Sequence, residues 1–283
     1  MKQTDDTGET NDLDVPKQKA FLVTIPHSGE KVPVETPWLQ KHPEVLLMYD
    51  VDRYVDRLYE PALQSLKVPF IKTEWHRYAI DLNRIPDDVD QGSVIGHQNP
   101  KGKFSRGLHW TITTAGETLQ PEPMTQALHD ELVQKYFEPF HRDVRDALKL
   151  LRKRSKVTYH LDAHSMPSVG TKEHRDPGER RADIVISDCE GTSCSHEYRD
   201  LVIAAYESAG FKTRVNWPYI GGRVTETYGR PQDGQHSIQV ELNRGLYMNE
   251  KTKQLTLALL PEIQQKLKLA LEAVYVSLPA ASL

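Results

Sequence analysis

The chain has 283 residues, 38% of them hydrophobic and 8% aromatic, enough apolar material for a large α/β core and too much for global disorder. Its formal net charge of -4 gives no positive field to draw in phosphates, which excludes a general nucleic-acid binder. No apolar run is long enough to span a bilayer.

Met1 to Asp14 is polar and acidic and lacks the basic and apolar regions of a secretory signal. Residues 1–18 are expected to form a flexible leader, and residues 19–283 a single catalytic α/β domain. Ala20-Phe-Leu-Val-Thr-Ile25 is a short β-forming run closed by Pro26. Glu44 to Leu66 predicts one helix, with Val45, Leu47, Met48, Val51, Val55, Leu58 and Leu63 roughly on one face. Pro69 to Thr73 is a second strand candidate. Pro86 to Pro121, rich in Gly, Pro, Asp and Asn, predicts a long excursion of the kind that carries function.

Pro123 to Arg154 predicts a long helical stretch with a break near Pro139. Val157 to Leu161 predicts a strand running into Asp162-Ala-His164, followed by a polar loop over Pro167 to Arg181. Ala182 to Ser187, Phe211 to Trp217 and Ser237 to Leu242 are further strands. Ser195 to Ala209 is a helix stopped by Gly210, and Lys253 to Tyr275 is the closing helix. The alternation predicts a mainly parallel or mixed sheet between helices. Cys189 and Cys194, without a second pair, do not make a zinc ribbon and read as two reduced thiols of a cytoplasmic protein.

Chemistry-bearing residues collect just past the predicted strands, where open α/β sheets bind ligands. Strand one runs into His27, the central strand into His164, and a late strand carries Glu241. Neutral imidazole suits a catalytic divalent metal, which takes three protein ligands and leaves a position for water. A third ligand is therefore required. Asp52 and Asp56, at i and i+4, would share one face of the predicted helix. Arg84, with its planar fork, and Asn83 beside it could clamp an anionic substrate end at the close of the apolar run ending in Asp81.

The ordered set Pro26-His27-Ser28-Gly29, Asp52-Arg-Tyr-Val-Asp56-Arg-Leu58, Asp81-Leu-Asn83-Arg84, Tyr136-Phe-Glu-Pro139-Phe-His141, Asp162-Ala-His164-Ser165-Met166-Pro167, Gly221-Gly222 and Gln239-Val-Glu241-Leu-Asn243-Arg244 resembles the N-formylglutamate amidohydrolase family. The resemblance spans about residues 20 to 250. It implies a three-layer α/β/α fold with a mixed sheet, phosphorylase/hydrolase-like and related to zinc carboxypeptidases. It also implies one zinc ion held by His27, His164 and a carboxylate. Asp52 is preferred for the carboxylate, with Asp56 and Glu30 as rivals. Glu241 matches the general base, and Asn83 and Arg84 match a pair that binds a substrate carboxylate. Arg77 could stabilise the oxyanion, and Arg244 joins the substrate-binding set.

The implied activity is hydrolysis of the amide bond of an N-acyl amino acid such as N-formyl-L-glutamate. The partner is then a small molecule bearing a carboxylate, or a peptide C-terminus. A zinc carboxypeptidase or another N-acyl amino acid deacylase shares the parts. A metal-free binding protein on the same scaffold is the non-enzymatic alternative.

Overall fold

The structure, a computed structural model, describes residues 18–97 and 106–281. The leader expected over 1–18 lies outside the described residues except for Gln18.

Among the described residues, six strands form the main sheet in the order β2-β1-β3-β6-β4-β5. They are β1 (Phe21–Ile25), β2 (Phe70–Lys72), β3 (Thr158–Met166), β4 (Ile184–Ser187), β5 (Thr213–Val215) and β6 (Gln235–Asn243). Strands β2, β1, β3 and β6 run parallel, while β4 pairs antiparallel with β6 and parallel with β5. The sheet is thus mixed, with β3 and β6 at its centre.

Helices cover both faces. On one side, Phe21, Val23, Ile25, Leu161, Ala163, Ile238, Val240 and Leu242 pack against α2 (Val55–Ser65), α5 (His196–Ser208) and α7 (Leu260–Ser277). On the other, Leu22 packs with α4 (Glu138–Arg152) and α6 (Arg223–Tyr228). This is the three-layer α/β/α arrangement. Successive strand side chains point to opposite faces. The second face of β1, β3 and β6 therefore carries Thr24, His160, Asp162, His164, Ser237, Gln239 and Glu241, all buried. A polar stripe on an otherwise closed sheet is costly unless each group is paired, so it marks the site.

Several elements differ from expectation. The helix expected over Glu44 to Leu66 is two pieces, α1 (Glu44–Leu47) and α2. Between them Tyr54 adopts a left-handed conformation (φ 73°), which ends any continuous helix. Its ring is buried and its hydroxyl donates to the Lys253 carbonyl at 3.3 Å, contacts that hold the unfavourable backbone in place. Asp52 consequently lies in a turn, tied by its N–H to the His27 carbonyl at 3.0 Å, and not on a helix face shared with Asp56.

The long helical stretch runs on past Pro139. It comprises α3 (Gln126–Leu132), a π turn at Val133–Phe137, and α4. The widened turn lies directly before the proline, whose missing N–H interrupts the helical ladder. The closing helix begins at Leu260, because Met248–Asn249 and Gln254–Leu255 form a small hairpin. Asp162 and His164, expected just beyond a strand end, lie within the longer β3. The apolar run from Arg77 to Arg84 forms a series of turns.

Candidate functional site

His27, Asp52 and His164 converge from three separate segments: the loop after β1, the turn before α2, and β3. One ligand atom from each lies within 4.8 Å of the others, and all three residues are buried. Both imidazoles turn Nδ1 inward. His27 Nδ1 lies 3.6 Å from Asp52 Oδ2, and His164 Nδ1 lies 3.0 Å from the same oxygen. His27 Nδ1 is buried and has no hydrogen-bond partner, a state that costs free energy unless something else occupies its lone pair.

The outward nitrogens are held by carboxylates. His27 Nε2 is 2.6 Å from Asp81 Oδ1, and His164 Nε2 is 2.7 Å from Asp162 Oδ2. A carboxylate behind each imidazole fixes the ring and the tautomer, as it does around metal-ligating histidines. Two nitrogens, one carboxylate oxygen and two supporting carboxylates therefore fit a divalent cation, on the unpartnered Nδ1 and on the chemistry of the donors.

Of the rival carboxylates, Glu30 is bound to the Arg53 guanidinium at 2.9 and 3.1 Å. Asp56 turns toward Lys72 at 3.4 Å on the half-exposed side of α2. Both are thus committed elsewhere, and Asp52 is the acidic group beside the histidines.

Charge keeps Asp52 and Asp81 ionised. Burial alone would raise the Asp52 carboxyl, but the adjacent His164 and His27 rings and the charge of Arg244 outweigh it and hold it well below the usual carboxylate range. Burial likewise opposes ionisation of Asp81, and His27, Arg77 and Arg84 overcome it. Arg244 lines the cavity, yet its donors reach protein groups: Nε to Ser165 Oγ at 3.0 Å, Nη1 to the Tyr49 carbonyl at 3.0 Å, and Nη2 to Asp52 Oδ1 at 2.9 Å. It clamps Asp52.

Glu241 sits on β6, in register with His164 on β3. It is buried and accepts a hydrogen bond from Gln239 Nε2 at 2.8 Å. Burial pushes its carboxyl up to about 7, with His164 pulling down and Asp52 pushing up. A carboxylate poised near neutrality is suited to exchanging a proton with a reacting group.

These residues line a cavity of about 570 Å³. Arg77 is held by Asp81 Oδ2 at 3.0 Å and the Asp50 carbonyl at 2.9 Å, with its guanidinium 4.7 Å from the Trp110 ring. Asn83 accepts from the Val224 N–H at 2.7 Å and lies against Gly222, where any Cβ would stand 2.1 Å from the Asn83 amide nitrogen. Arg84 donates to the Arg106 and Asn83 carbonyls. The two long loops supply further walls: Arg106, Trp110 and Thr114 from the first, and Pro167, His174 and Arg175 from the second. The bidentate Arg181–Asp176 pair, at 2.7 and 2.8 Å, braces that second loop.

A model of the N-formylglutamate amidohydrolase family matches residues 19–248. The chain belongs to this family. Two curated relatives are the N-formylglutamate deformylase of Pseudomonas aeruginosa, 28% identical over 82% of this chain and 83% of that protein, and that of Pseudomonas putida, 28% identical over 81% and 82%. The crystal structure of N-formylglutamate amidohydrolase from Ralstonia eutropha superposes with a TM-score of 0.81 at 26% identity, covering 91% of this chain and 93% of that one. A gene product of Agrobacterium tumefaciens, 16% identical with a TM-score of 0.65, shares the fold over 91% and 92% of the two chains.

Residues that motif reading left without roles are Asp81 and Asp162 behind the histidines, Trp110 beside Arg77, and Thr24, His160 and Ser237 deeper on the polar face. Asp81 and Asp162 were visible as parts of motifs. Thr24, His160 and Ser237 carried no signal beyond a polar residue inside an apolar strand, and Trp110 none beyond its place in the long loop.

Proposed function

We propose that this member of the N-formylglutamate amidohydrolase family is a zinc-dependent hydrolase of N-acyl amino acids. Its substrate is N-formyl-L-glutamate or a close analogue, and its products are formate and the free amino acid. The observation that carries the reading is the unpartnered, buried Nδ1 of His27 facing Asp52 and His164, with Glu241 in register beside them. The names of the Pseudomonas and Ralstonia relatives support the choice of acyl group.

His27, Asp52 and His164 would hold the ion. Zinc bound there supplies Lewis acidity, which polarises a carbonyl and acidifies water. Glu241 takes a proton from the water attacking the amide carbonyl and delivers it to the leaving nitrogen, without which the amine departs poorly. Arg77 stabilises the oxyanion that develops on the carbonyl oxygen. Arg84 and Asn83 bind the substrate carboxylate and fix its orientation. Arg175, at the outer rim of the cavity, adds a cation that suits a dicarboxylate such as a glutamate derivative.

No helix among the described residues is long and apolar enough to cross a membrane. Both cysteines are buried and outside any disulfide, which supports a cytoplasmic location.

The test combines metal analysis with an assay of formate release. The protein should carry one zinc per chain, release formate from N-formyl-L-glutamate, lose both properties to a chelator and recover them with zinc. Full activity in a metal-free preparation would overturn the reading. Cleavage of short peptides in preference to N-acyl amino acids would move it to a carboxypeptidase.

A further inference from the structure

Behind the ligand pair lie polar groups that the chemistry above does not use. Thr24, His160 and Ser237 are fully buried on the same face of the sheet as Asp162 and His164. Strand register places them on shared rungs, Thr24 beside Asp162 and His160 beside Ser237. His160 Nδ1 is 2.7 Å from Ser237 Oγ, and its Nε2 is 2.8 Å from Thr24 Oγ1. Thr24 Oγ1 donates to Asp162 Oδ1 at 2.5 Å, and Asp162 Oδ2 meets His164 Nε2 at 2.7 Å.

Counting protons gives this chain a direction. Asp162 as a carboxylate only accepts, so the single hydroxyl proton of Thr24 goes to Oδ1. Thr24 Oγ1 must then accept from His160, which places the proton of His160 on Nε2. Burial pushes His160 down to about 4, so the ring is neutral near pH 7 and its Nδ1 accepts from Ser237. The second oxygen of Asp162 accepts from Nε2–H of His164, so Nδ1, 3.0 Å from Asp52 Oδ2, is the nitrogen left for a cation. His27 is supported differently. Its carboxylate Asp81 is fastened by a backbone N–H from Asn83, the Arg77 guanidinium and the Trp110 indole. Asp162, on the His164 side, is backed by the neutral Thr24 hydroxyl and, through it, the His160 ring, while the Asn83 amide nitrogen lies 3.5 Å from His164 Nε2.

We infer that Thr24 and His160 are positioning residues that hold Asp162 in place and commit His164 to the Nε2–H tautomer, so that Nδ1 is offered to a divalent metal. The inference rests on the metal-binding reading above. Losing the Thr24 hydroxyl leaves a buried carboxylate oxygen unpaired, so Asp162 loses its fixed geometry and His164 its fixed tautomer.

The test compares zinc affinity, by competition with a chromophoric chelator, in the wild type, Thr24→Val and Thr24→Ser. Thr24→Val keeps the shape but removes the donor, and should weaken zinc binding by about 10- to 100-fold, the usual cost of losing support behind a metal ligand. Thr24→Ser restores the hydroxyl and should bind zinc nearly as the wild type does. Wild-type affinity in Thr24→Val would overturn the inference, as would equal weakening in both variants. A wild type without stoichiometric zinc would instead overturn the metal-binding reading beneath it. Should Thr24→Val fail to fold, long-range 15N–1H spectra of the zinc-loaded wild type decide the tautomer. His164 protonated at Nε2 supports the inference, and His164 protonated at Nδ1 overturns it.

Discussion

His164 and Glu241 are register partners on the two central parallel strands, so the candidate ligand and the candidate base stand side by side on one face of the sheet. Their neighbours on the other face, Ala163, Val240 and Leu242, are in the apolar core. A slip of one residue in either strand would move one of the pair into that core. The register of β3 against β6 therefore sets the distance between the candidate ligand and the candidate base.

Glu241→Gln keeps size and can still pair with Gln239, but it cannot accept a proton. Zinc content and melting temperature should stay near wild type, while kcat falls by about two to four orders of magnitude. A fully active variant would remove Glu241 from the mechanism, and loss of zinc would show it to be a ligand.

Asp81 faces His27 Nε2 at 2.6 Å and also carries Arg77, Trp110 and the Asn83 N–H. Asp81→Asn should weaken zinc binding by about 10- to 100-fold and lower activity with it, because the His27 tautomer is no longer fixed. Chelator competition measures this, and unchanged affinity would leave Asp81 a purely structural ion-pair partner.

Much of this site was legible in the sequence, and the reason is physical. His27 and His164 could be placed from the strand runs that precede them, whereas alternation only set Glu241 opposite the apolar face and the family resemblance turned that face toward the site. Asp52 could not be placed that way. Its position depends on the left-handed Tyr54, which nothing in the local apolar pattern of Glu44 to Leu66 announces. The expected helix face shared with Asp56 was a consequence of that missed turn. Arg244 was expected to meet substrate, while its donors clamp Asp52 and carbonyls from a distant segment. Such long-range pairing leaves no trace in spacing.

Gly222 gives the substrate side of the cavity a steric test. A methyl group there would stand 2.1 Å from the Asn83 amide, which is also fixed by the Val224 N–H. Gly222→Ala should displace Asn83, raising KM for a carboxylate-bearing substrate while zinc content stays at wild type. Arg84→Lys should act in the same direction, since the charge remains and the bidentate fork is lost. If KM for the carboxylate substrate and for its amide-capped analogue were unchanged in both variants, Asn83 and Arg84 would have no part in recognition.

The last prediction concerns acid stability and rests on histidines other than the candidate metal ligands. His76, His109, His141 and His160 are buried, and burial is the largest cause that pushes each down, His109 to about 3 and the others to about 4. In the unfolded chain each takes up a proton near pH 6.5. Between those values the unfolded state binds more protons than the folded state, so stability must fall as pH falls. Above about pH 6.5 both states leave these rings neutral and no slope arises from them. Each ring can contribute up to about 1.4 kcal/mol per pH unit. Glu241, raised to about 7, and His164, raised well above its ordinary value, oppose them, but they are two groups against four. The urea midpoint, measured in chelator to remove metal linkage, should therefore be lower at pH 5 than at pH 7.5. His141→Gln, which deletes one titrating ring held by Tyr228 and the Leu82 carbonyl, should lower stability at pH 7.5 and flatten the acid slope. A midpoint that rises on acidification, or an unchanged slope in the variant, would show that these rings are protonated inside the folded protein.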